Sequence, residues 1–243
     1  MGLQLHATGL TDVGRARKHN EDCFEISREH QLFVVADGMG GHSHGEVAAR
    51  IAVDSIRDSI AESAGSGADL GPALETAVHT AHSQVLDAII KDASLQGMGT
   101  TVVGMYVNGQ TAALAHVGDS RAYRVRAGSL SLLTQDHTWV HEQVQAGYLS
   151  EDQARHHPLK NVVTRALGSE KEVVVDLQEV DLESGDRYLI CSDGLTSMLD
   201  DHDIEEIMLR EDGLEGTCEA LVAEANRRGG LDNVTVILLS VGG

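Results

Sequence analysis

Three aspartates stand where apolar runs stop. Asp37 follows Leu32-Phe33-Val34-Val35-Ala36, Asp193 follows Tyr188-Leu189-Ile190-Cys191-Ser192, and Asp232 precedes Val234-Thr235-Val236-Ile237-Leu238-Leu239. Buried strands deliver such carboxylates to one end of a sheet, and convergence there is costly. Two carboxylates about 4 Å apart repel by roughly 4 kcal/mol at an effective dielectric of 20. The sequence supplies few basic residues close to these positions, so a bound divalent cation is the simplest counter-charge.

A single Asp-Gly pair is an ordinary turn. Here Asp37-Gly38 and Asp193-Gly194 both close strands, and Asp232-Asn233 opens a third, which favours a site over three unrelated turns. The run Gly38-Met39-Gly40-Gly41-His42-Ser43-His44-Gly45 invites a nucleotide-loop reading, but Ser43 stands where G-x-G-x-x-G needs glycine, and no Gly-Lys-Ser/Thr ending follows. Glycines beside Asp37 would instead let backbone carbonyls approach an ion while the chain turns sharply. The pair His42-Ser43-His44, without nearby cysteine, is weak evidence for zinc.

The elements that must position these residues follow from periodicity. Apolar residues Ala48, Ala52, Ile56 and Ile60 predict a helix over 45–62, and Leu74, Val78, Ala81, Val85 and Ile89 predict a second, with 64–71 as the joint. Strands over 100–107 and 111–117 turn at Asn108-Gly109. A second hairpin joins 123–126 to 130–133 through Ala127-Gly128, and a third joins 173–182 to 187–192 through Glu183-Ser184-Gly185-Asp186. Cys218, Leu221, Val222 and Ala225 mark a helix stopped at Gly229-Gly230, before the last strand. Consecutive hairpins with helices arriving in pairs predict an α+β layered domain. Residues 136–167 are polar, carry a capping box at Ser150-Glu151-Asp152-Gln153, and are expected to form a mobile insertion near the site.

At 243 residues the chain suits one large domain, and a formal charge of −20 argues against nucleic acid or an anionic membrane as partner. Two divalent cations would still leave −16. Cys23, Cys191 and Cys218 form no C-x-x-C pair and read as core thiols of a reducing compartment. No signal peptide, lipidation signal or apolar run of the ~20 residues that span a bilayer is present, so a cytoplasmic protein is expected.

Seven blocks in order carry a resemblance over almost the whole chain: Arg17-Lys18-His19-Asn20-Glu21-Asp22, Val35-Ala36-Asp37-Gly38-Met39-Gly40-Gly41-His42, Gly99-Thr100-Thr101, Val117-Gly118-Asp119-Ser120-Arg121, residues 134–138, Cys191-Ser192-Asp193-Gly194-Leu195 and Asp232-Asn233-Val234-Thr235. The sequence resembles the metal-dependent protein serine/threonine phosphatases of the PPM family, type two-C, in their compact bacterial form. The resemblance implies a four-layer α-β-β-α sandwich of two antiparallel sheets flanked by helices, one catalytic domain over 1–243, and a flap at about 136–167 whose closing strand is 161–168. It implies that Asp37 bridges two metal ions, that Asp193 and Asp232 complete the first, and that the Gly38 carbonyl ligates the second. Asp22 and Glu21 would hold metal-bound water, and Asp119, with Asp193, a third and weaker ion. Such an all-oxygen set suits Mg²⁺ or Mn²⁺.

The implied reaction is hydrolysis of phosphoserine and phosphothreonine in proteins by direct attack of a water bridging two metals. No cysteine sits in a phosphate loop, and no paired-aspartate motif suggests an aspartyl-phosphate. Arg17 would clamp the substrate phosphate through its planar fork; the bland reading is a solvated surface charge. Gly-Asp-Ser around Asp119 is also ordinary turn sequence, although the metal role is favoured there, and Asp22 could equally be an Asx turn or helix cap. In animal relatives a histidine follows the Asp-Gly pair, but Met39 stands there, leaving His42 as the nearest general acid, with a surface histidine or simple water protonation as alternatives. The expected partners are phosphoproteins and a bacterial serine/threonine kinase of eukaryotic type, acting on a monomer. A phosphoprotein-binding pseudoenzyme would lack metal carboxylates that are all present here, while a small-molecule phosphatase would share the same chemistry.

Overall fold

The computed structural model describes residues 3–40, 44–63, 69–210 and 212–242. His42 and residues 64–68 of the expected joint lie outside them. The central strands are apolar on nearly every residue, and successive side chains point to opposite faces, so each strand has two faces to bury. The result is two antiparallel sheets. One has the order β1 (Gln4–Asp12), β11 (Val234–Gly242), β10 (Arg187–Cys191), β7 (Arg121–Arg126) and β8 (Ser129–Leu132). The other runs β2 (Asp22–Ser27), β3 (Leu32–Met39), β5 (Val102–Asn108), β6 (Thr111–Val117) and β9 (Asp176–Asp181), with the two-residue β4 (Gly99–Thr100) on β3.

Phe33, Val35, Met105, Leu114, Tyr188, Ile190, Ile237 and Leu239 meet between the sheets. Their neighbours on the opposite faces, Leu32, Val34 and Ala36, are covered by α1 (Gly45–Ser63) and α2 (Leu70–Lys91) through Ala52, Ile56, Ile60, Leu74 and Val78. Leu189, Cys191, Val236 and Leu238 are covered by α6 (Asp201–Met208) and α7 (Gly213–Arg227) through Ile204, Cys218, Leu221 and Ala225. Burying each such aliphatic or aromatic side chain stabilises the fold by about 1.5–3 kcal/mol, so the four layers follow from the two-residue repeat. All three cysteines are buried, as expected of core thiols.

Two expectations about strand partners need correction. The strands on either side of Glu183-Ser184-Gly185-Asp186 do not form a hairpin: β9 pairs β6 in one sheet and β10 pairs β7 and β11 in the other. The turn is a corner between layers, pinned by Asp186. Its carboxylate accepts from Arg126 Nε (2.8 Å) and Nη2 (2.6 Å), Glu183 N (2.9 Å) and Tyr188 Oη (2.9 Å). Turn chemistry reverses a chain without deciding which sheet the next strand joins. The other correction concerns 161–168, which form isolated bridges at Thr138↔Val163 and Thr100↔Leu167 in place of a closing strand.

The β5–β6 turn falls one residue late, on Gly109-Gln110, because Asn108 still pairs with Thr111. Within 136–167 lie α3 (Trp139–Gln145) and α4 (Glu151–Arg155), and the latter carries the expected capping box between Ser150 and Gln153. A short α5 (Asp193–Thr196) starts where β10 ends. No helix among the described residues is long and apolar enough to cross a membrane.

Candidate metal centre

The antiparallel register of β2 and β3 sets Asp22 directly opposite Asp37. Asp37 is fixed by its backbone: its N–H donates to Thr101 Oγ1 (3.0 Å), and its carbonyl accepts from Thr101 N and Thr100 Oγ1 (2.9 Å each). Thr101 Oγ1 in turn meets Ser120 Oγ at 2.7 Å, tying this strand to the segment that carries Asp119. A Cβ at Gly38 would collide with the carbonyls of Gly45 and Glu21, and one at Gly194 with that of Asn233. Both Asp-Gly glycines are therefore required by close backbone approach at the site.

Asp22 Oδ2 accepts from Ser192 Oγ (2.7 Å) and Thr235 Oγ1 (2.6 Å), while its buried Oδ1 has no partner among the described protein groups. Burial raises its carboxyl to about 7, helped by the charges of Asp193 and Asp232 and opposed by the two hydroxyls. Asp193, in the first turn of α5, is raised to about 6, by burial and then by Asp232, although the nearby Asp37 carboxyl and the charge of Arg17 pull it down. Asp37 is pushed well above the usual carboxylate range by burial and by Asp22, Asp193, Asp119 and Asp232. Asp119 is raised likewise by burial, Asp193 and Asp136. Burial first, and neighbouring acids second, thus disfavour ionisation of four carboxyls from separate segments.

Asp232 sits differently. Its Oδ2 lies 2.6 Å from Arg17 Nη2, and the oxygens of Asp37, Asp193 and Asp232 do not all lie within 4.8 Å of one another; the trio that does, among the described residues, is His116, His137 and Asp176. Asp232 instead faces the Arg17 guanidinium. Glu21 is raised by burial, with Arg17 opposing, and its backbone N–H and carbonyl bond Asn233 Oδ1 (2.9 Å) and Gly38 N (3.2 Å).

Sequence reasoning gave no individual role to the residues that hold these acids. Asn233 bonds Glu21 N through Oδ1, and its Nδ2 donates to the carbonyls of Val13 and His19 at 2.9 Å each, stapling the Arg17 loop to the Asp232 loop. Ser192, Thr235 and Thr101 supply the hydroxyls, and Arg121 grips Asp136 with two bonds of 2.8 and 2.6 Å. Their one sequence signal is position: Ser192, Asn233, Thr235 and Arg121 lie within three residues of Asp193, Asp232 or Asp119, and Thr101 opens the apolar run of β5.

The donors suit a hard cation. Among the described residues a buried carboxylate oxygen is left without a partner, burial and neighbouring acids raise four carboxyls, and the surrounding ligand atoms are oxygen.

A family model described as protein phosphatase 2C matches residues 14–225. The chain is 37% identical over 240 residues to "Serine/threonine phosphatase stp" of Listeria welshimeri serovar 6b, covering 97% of this chain and 95% of that one. The Mycobacterium tuberculosis serine/threonine phosphatase PstP/Ppp superposes with a TM-score of 0.92 at 34% identity, covering 98% of this chain and 99% of that one. A structure of the PstP catalytic domain in complex with two manganese ions superposes with a TM-score of 0.89 at 34% identity, covering 99% and 100%.

Proposed function

The chain belongs to the protein phosphatase 2C family and is a metal-dependent protein serine/threonine phosphatase, and from that premise we propose how its residues divide the work. Asp37, the Gly38 carbonyl, Asp193 and Asp232 hold two divalent ions, Mg²⁺ or Mn²⁺. Asp22 and Glu21 orient the water around them, and Asp119 with Asp193 takes a third ion. The observation that carries this reading is geometric: Asp22 stands opposite Asp37 in the β2–β3 register, Thr101 ties Asp37 to the Asp119 segment through Ser120, Ser192 beside Asp193 bonds Asp22, and the second, buried oxygen of Asp22 has no partner among the described residues. When bound, the ions supply an acidified water and neutralise charge on the phosphate oxygens.

The protein's own groups do the rest. Asp22 keeps one oxygen on Ser192 and Thr235 and presents the other to the centre, which fixes it as an acceptor for water. Arg17 is half exposed and paired with Asp232 at 2.6 Å, so an entering phosphate can take over its planar fork. His42 donates the proton to the leaving alkoxide. The whole of 1–243 acts as one catalytic domain, with 136–167 as a flap beside the centre. Its substrates are phosphoproteins made by a serine/threonine kinase, and it works as a cytoplasmic monomer.

The test compares turnover of a phosphothreonine peptide, p-nitrophenyl phosphate and nucleotides, with and without Mn²⁺, for the protein and for Asp193→Ala. Mn²⁺-dependent peptide turnover that falls by orders of magnitude in the variant, with an unchanged circular dichroism spectrum, is expected. Activity confined to small phosphates, or unaffected by the substitution, would overturn the reading.

A further inference from the structure

Asp119 is buried, and none of its side-chain oxygens bonds another described residue. Its direction is therefore set by the backbone on either side. On one side Ser120 Oγ is tied to Thr101, itself bonded to Asp37. On the other, Gly118 adopts φ +113° and is held at two points by one residue: His137 N donates to the Gly118 carbonyl (2.8 Å), and Gly118 N–H donates to His137 Nδ1 (3.0 Å).

That second bond fixes the chemistry of the imidazole. Nδ1 is an acceptor, so in the neutral ring Nε2 carries the proton and points it at Asp176 Oδ2, 3.2 Å away. The other oxygen of Asp176 accepts from Arg165 Nη1 at 3.1 Å. The same assignment answers the metal question raised by the trio His116, His137 and Asp176. His137 then has no lone pair left for an ion, and its ring packs tilted by 30° against that of His116, with centroids 4.7 Å apart.

We propose that His137 is a positioning residue for Asp119: held in one tautomer by Asp176, it sets the Gly118 peptide and through it aims the Asp119 carboxylate at the third cation. This rests on the reading of Asp119 as a ligand. It also makes the base of the 136–167 segment part of the metal centre, because the His137 carbonyl accepts from Thr164 N at 2.8 Å, joining the two ends of that segment.

Two amide substitutions separate the functions of the ring. In His137→Asn the side-chain oxygen can stand where Nδ1 stands and accept from Gly118 N–H, but it cannot reach Asp176; His137→Gln has the opposite reach. Mn²⁺ titration by calorimetry, resolving tight and weak sites, is expected to show the weak site near its original affinity in His137→Asn and about 10- to 100-fold weaker in His137→Gln, the range for lost partners of metal ligands. The tight ions serve as the control for folding in the same titration, and exchange of the Gly118 amide should accelerate in His137→Gln alone. Equal affinities in both variants, or equal losses, overturn the proposal. If His137→Gln fails to take up the tight ions, His137→Asn decides alone: an intact weak site supports the proposal and a lost one ends it. Asp119→Ala is the reference. If it keeps the weak site, the ligand reading has failed; if it loses the site while His137→Gln retains it, the positioning role has failed.

Discussion

At the scale of single residues, the centre is governed by competition for Asp232 and by protons. Arg17 and Asp232 form a pair with side chains 49% and 30% exposed, a type worth roughly 0.2–1 kcal/mol. So weak a pair can be exchanged for a phosphate. Arg17→Ala is expected to leave the melting temperature within about a degree or two, yet to lower kcat/KM for a phosphopeptide about 10- to 100-fold, the loss of a charged hydrogen bond; unaltered kinetics would remove Arg17 from substrate binding. Protons compete with cations for the acids. Burial raises Asp22 to about 7 and Asp193 to about 6, so below these values a cation must displace protons that it need not displace above them. Thermal stabilisation by Mn²⁺, about 2.7 kcal/mol at a hundredfold excess over its dissociation constant, should therefore be larger at pH 8 than at pH 5.5, and EDTA should erase the difference.

At the scale of elements, the site is built by loops that strands hold apart and polar staples draw together. Asn233 satisfies two carbonyls of the 13–19 stretch and the Glu21 amide. Asn233→Ala leaves these groups unpaired at about 1–3 kcal/mol each where burial is complete. The expected result is a fall of several degrees in melting temperature with a rise in KM, since Arg17 loses its register with Asp232; a change in kcat alone would contradict it. The long central strands and paired helices were legible because β3, β5, β6 and β11 are buried on nearly every residue. Strands β1, β2 and β9 were not, or were misassigned. They lie at sheet edges, and β9 buries a single residue of six, so alternation had little to say there.

At the scale of the whole molecule, stability depends on a histidine that the proposed chemistry does not use. His116 lies on β6, faces His137, Asp136, Asp176 and the Ser120 backbone, and among the described residues neither ring nitrogen has a partner at hydrogen-bond geometry. Burial first, then His137, lowers it from 6.5 to about 4. Its folded value is depressed, so the contribution is present above the unfolded value and is lost as pH falls through 6.5 toward 4, on the order of 3 kcal/mol in full. Urea midpoints of the protein should drop more between pH 6.5 and 4.5 than those of His116→Leu. Equal drops would mean that the imidazole stays solvated.

The sequence by itself determined the layered α+β class and the segments that bring carboxylates together, because alternation and turn chemistry are local and aspartates at the ends of apolar runs have few other uses. Tertiary structure decided the rest. It set Asp186 as a corner between sheets, gave Ser192, Thr235 and Asn233 their work, turned Asp232 toward Arg17, and put His137 behind Asp119. Those are contacts between residues far apart along the chain, and what each polar side chain does follows from which unsatisfied group the folded layers place beside it.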